Sequence, residues 1–103
     1  MILPIYKERI PYEFEVNIKG EIFTFELHYN GDNDFFAIDL SKNGEVIIYG
    51  EKITYGRPLF GALSDTRLPT LSITPLDPSG DANEVTYDNF GESVLLYVGD
   101  VDG

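Results

Sequence analysis

The sequence predicts an all-β domain, a small antiparallel β-barrel or β-sandwich of six to seven short strands. Three observations carry this prediction. Apolar and polar residues alternate with period two along several short runs, the pattern of a strand with one buried face. Turn-forming dipeptides such as Lys19-Gly20 and Asn43-Gly44 separate those runs, as they do in hairpins. No stretch of ten or more residues has the apolar spacing of an amphipathic helix.

Residues 1–11 read as an extended N-terminal segment. From residue 12 to 18, Tyr12, Phe14, Val16 and Ile18 share one face, and Glu13, Glu15 and Asn17 the other. After Lys19-Gly20 the alternation resumes: Phe23, Phe25, Leu27 and Tyr29 point one way, and Thr24, Glu26 and His28 the other. Residues 30–34, Asn-Gly-Asp-Asn-Asp, form a dense turn cluster. Residues 35–41 give a third strand, with Phe36, Ile38 and Leu40 inward and Asp39 outward, and residues 46–49 a fourth. Sequential strands joined by short turns are antiparallel neighbours, so the first half is a β-meander.

The middle has no clean period. Residues 50–66 hold three glycines and Pro58, with Leu59, Phe60, Ala62 and Leu63 as a short helical turn or a covering loop. Residues 68–76 alternate again, with Leu71 and Ile73 on one face and Pro69 and Pro75 as brackets, which suits an edge strand or strand ends. A polar loop follows at 77–84, then a short strand at 85–87. Residues 93–98 are the last strand, apolar on both faces, as expected near the centre of a sheet or in a closed barrel. Residues 99–103 read as a flexible acidic tail.

A chain of 103 residues is room for one domain, spanning residues 1–103. At this size folding buries roughly 60–70% of the extended chain's surface, enough for one core without staples. Cysteine is absent, which removes thiolate catalysis and Cys-ligated zinc or iron–sulfur sites and fits a reducing cytoplasm. Asp and Glu number 18 against 7 Lys and Arg, a formal charge of −11. Such a chain repels nucleic acid and anionic lipid and suits a basic partner. No apolar run is long enough to span a membrane as a helix. Residues 1–8 have no basic n-region before an apolar stretch, so no signal peptide is expected and synthesis in the cytoplasm is.

Catalytic chemistry finds little purchase. His28 is the sole histidine, with Glu26 on the same strand face as its nearest acid; acid–base catalysis needs a positioned constellation. Glu13, Glu15, Glu26 and Asp39 point outward from adjacent strands and form an acidic surface rather than a glycosidase cleft. The acidic loops at 32–34 and 77–84 lack the ligand spacing of a calcium loop, and turn chemistry accounts for them. No serine lies in a Gly-x-Ser-x-Gly context and no glycine-rich phosphate loop is present. The expectation is a protein without catalytic residues, metal or cofactor that acts by binding another protein. Tyr49, Tyr55, Arg57, Phe60 and Phe90 are the candidate partner-binding residues, because aromatic and arginine side chains in loops anchor interfaces. Local packing is the competing role for the aromatics.

Ile10-Pro11, then Phe14-Glu15-Val16-Asn17-Ile18-Lys19-Gly20-Glu21-Ile22-Phe23-Thr24-Phe25-Glu26-Leu27-His28-Tyr29-Asn30, resembles the F-x-V-x-L-x-G-x-x-Y-x-L-x-L-x-W-N opening of the baseplate plug proteins of tailed phages. Tyr29 stands where that family often has Trp. Phe36-Ala37-Ile38-Asp39-Leu40, Asn43-Gly44 and Ile47-Ile48-Tyr49-Gly50 resemble its next hairpin. Asp88-Asn89-Phe90-Gly91 before Val94-Leu95-Leu96-Tyr97-Val98 resembles its closing turn and strand. The resemblance implies a non-enzymatic virion part near the tip of the tail tube, packed on baseplate hub or tail-tube proteins. A homo-oligomer within the baseplate is a further option, and an acidic lining would let DNA slide past.

Two other readings compete. An acidic inhibitor or DNA mimic would space carboxylates like phosphates and be competed off its target by DNA. A receptor- or carbohydrate-binding module would place exposed aromatics beside polar groups in a groove.

Overall fold

The computed structural model describes residues 2–61, 67–69 and 72–99. Its strands are β1 (Ile2–Leu3), β2 (Tyr12–Ile18), β3 (Glu21–Asn30), β4 (Phe35–Lys42), β5 (Glu45–Lys52), β6 (Ser72–Leu76) and β7 (Leu95–Gly99). One 3-10 turn, Lys7–Arg9, stands between β1 and β2, and no α-helix occurs among the described residues. The strands form a four-stranded sheet in the order β2-β3-β4-β5 and a three-stranded sheet in the order β1-β7-β6, with every pairing antiparallel. The sheets do not close on each other. The fold is therefore sandwich-like, and the barrel alternative falls away.

The meander forms as its turns dictate. Lys19 and Gly20 have φ of 52° and 84°, and Asn43 and Gly44 have 54° and 81°. Both central residues of each turn are thus left-handed, the type I′ geometry whose twist matches that of paired strands. The first turn sets Ile18 opposite Glu21, and pairing follows back to Tyr12 opposite Leu27.

Alternation then does the sorting. Val16, Ile18, Phe23, Phe25, Leu27, Phe36, Ile38 and Leu40 face inward and are buried. Leu3, Ile73, Leu96 and Val98 of the smaller sheet close onto the same core. Removing this apolar area from water is the main drive to fold.

β7 sits at the centre of its sheet, where a strand apolar on both faces belongs. Its regular pairing starts at Leu95 rather than residue 93, because the Val94 N–H donates to the Asn89 carbonyl within a turn. The N-terminal segment does more than extend: Ile2 pairs with Tyr97 and Leu3 with Leu96.

The aperiodic middle is a strap. The Ile53 N–H donates to the Phe36 carbonyl, the Gly56 N–H to Pro75 and the Leu59 N–H to Ile73, at 2.9, 2.9 and 2.7 Å. The last two contacts satisfy carbonyls of β6 that would otherwise form an open sheet edge. Residues 85–87 form no strand, against expectation. The Thr86 N–H donates to the Asn89 side chain and the Tyr87 N–H to the Asp34 carboxylate, each at 2.9 Å, so neither amide is left for a ladder. The expected roles of Ala62, Leu63, Leu71 and the tail beyond Gly99 lie outside the described residues.

Candidate interaction surface

The four-stranded sheet turns one face to the core and the other outward. Register brings Glu13 of β2 directly opposite Glu26 of β3, and Glu26 opposite Asp39 of β4. Glu15, Thr24 and Ser41 form the adjacent row, which Val46 of β5 continues. Three carboxylates thus stand in one line across three strands, and a fourth lies in the next line. Like charges directly opposite each other destabilise a sheet.

His28 partly offsets that repulsion. Its Nε2 lies 2.9 Å from Glu26 Oε1 and 3.0 Å from Asp39 Oδ2. A carboxylate only accepts, so Nε2 carries the hydrogen in this arrangement. The three donor atoms lie within 4.8 Å of one another, the one such group of metal-type side chains among the described residues. The side chains of His28 and Glu26 are about 40% exposed, and His28 also lines a surface concavity with Lys7, Ile10, Pro11, Tyr29 and Tyr87.

Asp39 has a second task. Its other oxygen accepts the Gly50 N–H at 2.7 Å. Gly50 lies in β5 at a register irregularity, where Tyr49 and Gly50 of β5 stand against Asp39 alone of β4. A second irregularity follows between Leu40 and Ser41. Bulges of this kind twist an edge strand away from further pairing.

Of the five residues singled out from the sequence, Tyr49 lies on this edge and is 77% exposed. Tyr55, Arg57 and Phe60 belong to the strap. Arg57 is exposed and lines an open concavity with Lys52, Thr54 and Pro58. Tyr55 is half-buried against the core, and its hydroxyl accepts the Asp77 N–H at 3.1 Å. Phe60 and Phe90 are in the core, at 5% and 0% exposure. Both rings are thus taken up by local packing, the other role weighed for the aromatics, and neither is exposed to a partner. The Phe90 ring packs against Phe36 in a tilted pair, centroids 4.5 Å and planes 47° apart, because the turn at 86–94 folds it inward.

The loops read as turns from the sequence prove to be tied by their own side chains. Asn30 Oδ1 accepts the N–H groups of Asp32 and Asn33. Asp77, the one buried charged residue among those described, accepts from the Ser79 hydroxyl, the Ser79 N–H and the Ala82 N–H. Those bonds, the Ser79 hydroxyl foremost, hold its carboxyl below the usual range. Burial pushes the Tyr12 phenol up; that hydroxyl accepts the Tyr6 N–H and donates to the Pro4 carbonyl, fastening the N-terminal segment. Lys7 adds a clamp by donating to the carbonyls of Tyr87 and Asp88.

Two apolar residues of the outer face escape the alternation argument. Ile22 is 53% exposed and Val46 38%. Ile22 carries the signal for this in the sequence: it is the apolar residue at a position whose parity, shared with Thr24, Glu26 and His28, is otherwise polar.

A family model described as "Cyanophage baseplate Pam3 plug gp18" matches residues 1–101 of the 103-residue chain. No curated protein matches it.

Proposed function

We propose, from the premise that this chain belongs to the cyanophage baseplate plug family, that it is a structural part of a phage tail baseplate and packs on the hub or tail-tube-end proteins without catalysing a reaction. The observation that carries this reading is the match itself, which runs from the first strand to the last. The fold is compatible with it. The apolar side chains make one shared core, and His28, Glu26 and Asp39 cluster on the outer sheet face.

In this reading Tyr49 and Arg57 are the exposed anchors toward a neighbour, with Tyr55 behind them in the strap. Phe60 and Phe90 hold the loops that present them. A virion component is made with the other tail proteins in the host cytoplasm and persists in the particle.

The test is composition of the particle. Purified virions, and baseplates released from them, are digested and quantified by mass spectrometry. The chain is expected at a fixed ratio to the tail-tube and hub proteins. Finding it in infected-cell lysate yet absent from particles would exclude a structural role.

A further inference from the structure

We infer that the outer face of the β2-β3-β4-β5 sheet docks a cationic protein surface, a lysine- and arginine-bearing face of a different baseplate protein. The inference rests on the baseplate reading and names the chemistry of one contact within it.

The described chain leaves the face largely uncovered, with the Lys7–Pro11 segment flanking only its His28 end. Glu13 and Glu15 are exposed, Thr24, Glu26 and His28 half-exposed, and the Asp39 side chain is 18% exposed. Its charge is predominantly negative. Glu13, Glu26 and Asp39 are aligned by register and Glu15 lies in the adjacent row, while the cations are marginal: Lys52 at the far corner over the Phe35 ring, and Lys7 across a concavity from His28, donating to the carbonyls of Tyr87 and Asp88. In the isolated domain such a row works against the sheet, and His28 reaches two of its members only. A cationic surface laid over the row converts the repulsion into attraction. Beside the row, at the end carrying both type I′ turns, Ile22 and Val46 expose apolar area on the same face. Apolar area next to charge is the make-up of a protein interface, not of a cation or DNA site.

The charge of the whole chain selects the occupant. A second copy would bring its own formal −11 against the same row. DNA and anionic lipid are repelled for the same reason. What remains is a protein surface of opposite sign.

The experiment uses the assembled particle. Intact virions and the free protein are treated in parallel with a carbodiimide and glycine ethyl ester, which label accessible carboxylates, and with the carbodiimide alone, which joins carboxylates to lysines in contact. Glu13, Glu15 and Glu26 are expected to label in the free protein and to be protected in virions, with zero-length cross-links to lysines of another virion protein. The second arm is a Glu13→Gln/Glu26→Gln variant supplied in competition with wild type during infection. Its incorporation is expected to fall about tenfold, the equivalent of about 1.4 kcal/mol. Circular dichroism and melting confirm its fold beforehand; Asp39 is left intact because it holds Gly50. Equal labelling in free and assembled protein overturns the inference while the chain's presence in the particle keeps the baseplate reading. Cross-links to another copy of the chain, or undiminished incorporation of the variant, overturn it likewise. Absence of the chain from virions overturns both.

Discussion

The Tyr29 hydroxyl donates to the Asp34 carboxylate at 2.7 Å, and this bond links the end of β3 to the loop that follows it. The same oxygen accepts the Tyr87 N–H, so one carboxylate holds together two segments distant in sequence. The rings of Tyr29, Phe36, Tyr87 and Phe90 pack around the junction at centroid separations from 4.5 to 6.2 Å.

Donation to Asp34 pushes the Tyr29 phenol up to about 12. An unfolded tyrosine ionises near pH 10, so between the two values the unfolded chain releases a proton that the folded chain keeps. The stability from this group is full below about pH 10 and is lost as pH rises toward 12. Urea midpoints measured from pH 8 to 12 should fall steeply above 10 in the wild type. Tyr29→Phe should be less stable at pH 8 yet lose less across the alkaline range. Parallel curves for the two proteins would refute the assignment.

Asp77 has the opposite sign. Its carboxyl is held down by the Ser79 hydroxyl and N–H and by the Ala82 N–H. Stability from this group is present above the ordinary aspartate value of about 4 and is lost as pH falls through the lower folded value. Asp77→Asn should lower the melting temperature at pH 7 and narrow its gap to wild type below pH 4. A gap that is constant from pH 7 to pH 3 would count against the bonded carboxylate.

The first half of the fold was legible because its information is local. Alternation named the inward residues, and the Lys19-Gly20 turn set register: with Ile18 opposite Glu21, counting back places Glu13 opposite Glu26. The acidic row was therefore implicit in turn position and parity. The second half was not legible in this way. The strap at 53–61 takes its shape from bonds to β6 and β4, which lie far along the chain and leave no periodic trace. Phe60 adopts a left-handed φ of 63°, which nothing in its residue type announces. β1 has two residues, too few for a pattern. Phe90 lies in a polar turn sequence, where residue type leaves packing and partner contact both open, and that turn is the device that aims its ring at Phe36.

Burial separates two aromatics that were both candidates for partner contact. Phe90→Ala empties a site with no exposed surface and should cost about 3–5 kcal/mol. Tyr49→Ala removes an exposed ring from an edge strand and should cost at most about 0.5 kcal/mol. Chemical denaturation of both variants gives the comparison; equal losses would mean that Phe90 is not packed as described.

Two glycines test backbone and space separately. Gly50 has φ +67° with nothing within 4 Å of an added Cβ, whereas at Gly91, φ +86°, that atom would meet Ile5 Cγ2 at 3.1 Å. The left-handed conformation alone costs an alanine about 1–2 kcal/mol. Gly50→Ala should show that penalty, and Gly91→Ala more, since Ile5 must also give way. The reverse order by urea denaturation would contradict the packing of the N-terminal segment on the 86–94 turn.

The in-register carboxylates make a last prediction, in which charge removal strengthens the fold. Glu13 faces Glu26 directly, His28 bonds to Glu26 and Asp39, and among the described residues no ion pair reaches Glu13. Cross-strand like charges cost a few tenths to about 1 kcal/mol. Glu13→Gln keeps the shape and removes the repulsion, so it should raise the melting temperature at low ionic strength. Salt should do the same for the wild type, because the screening length shrinks from about 30 Å at 0.01 M to about 3 Å at 1 M. The gap between variant and wild type should therefore close as NaCl rises. A salt-independent gap would point to packing rather than charge, and a less stable variant would show that Glu13 already has a partner that compensates it.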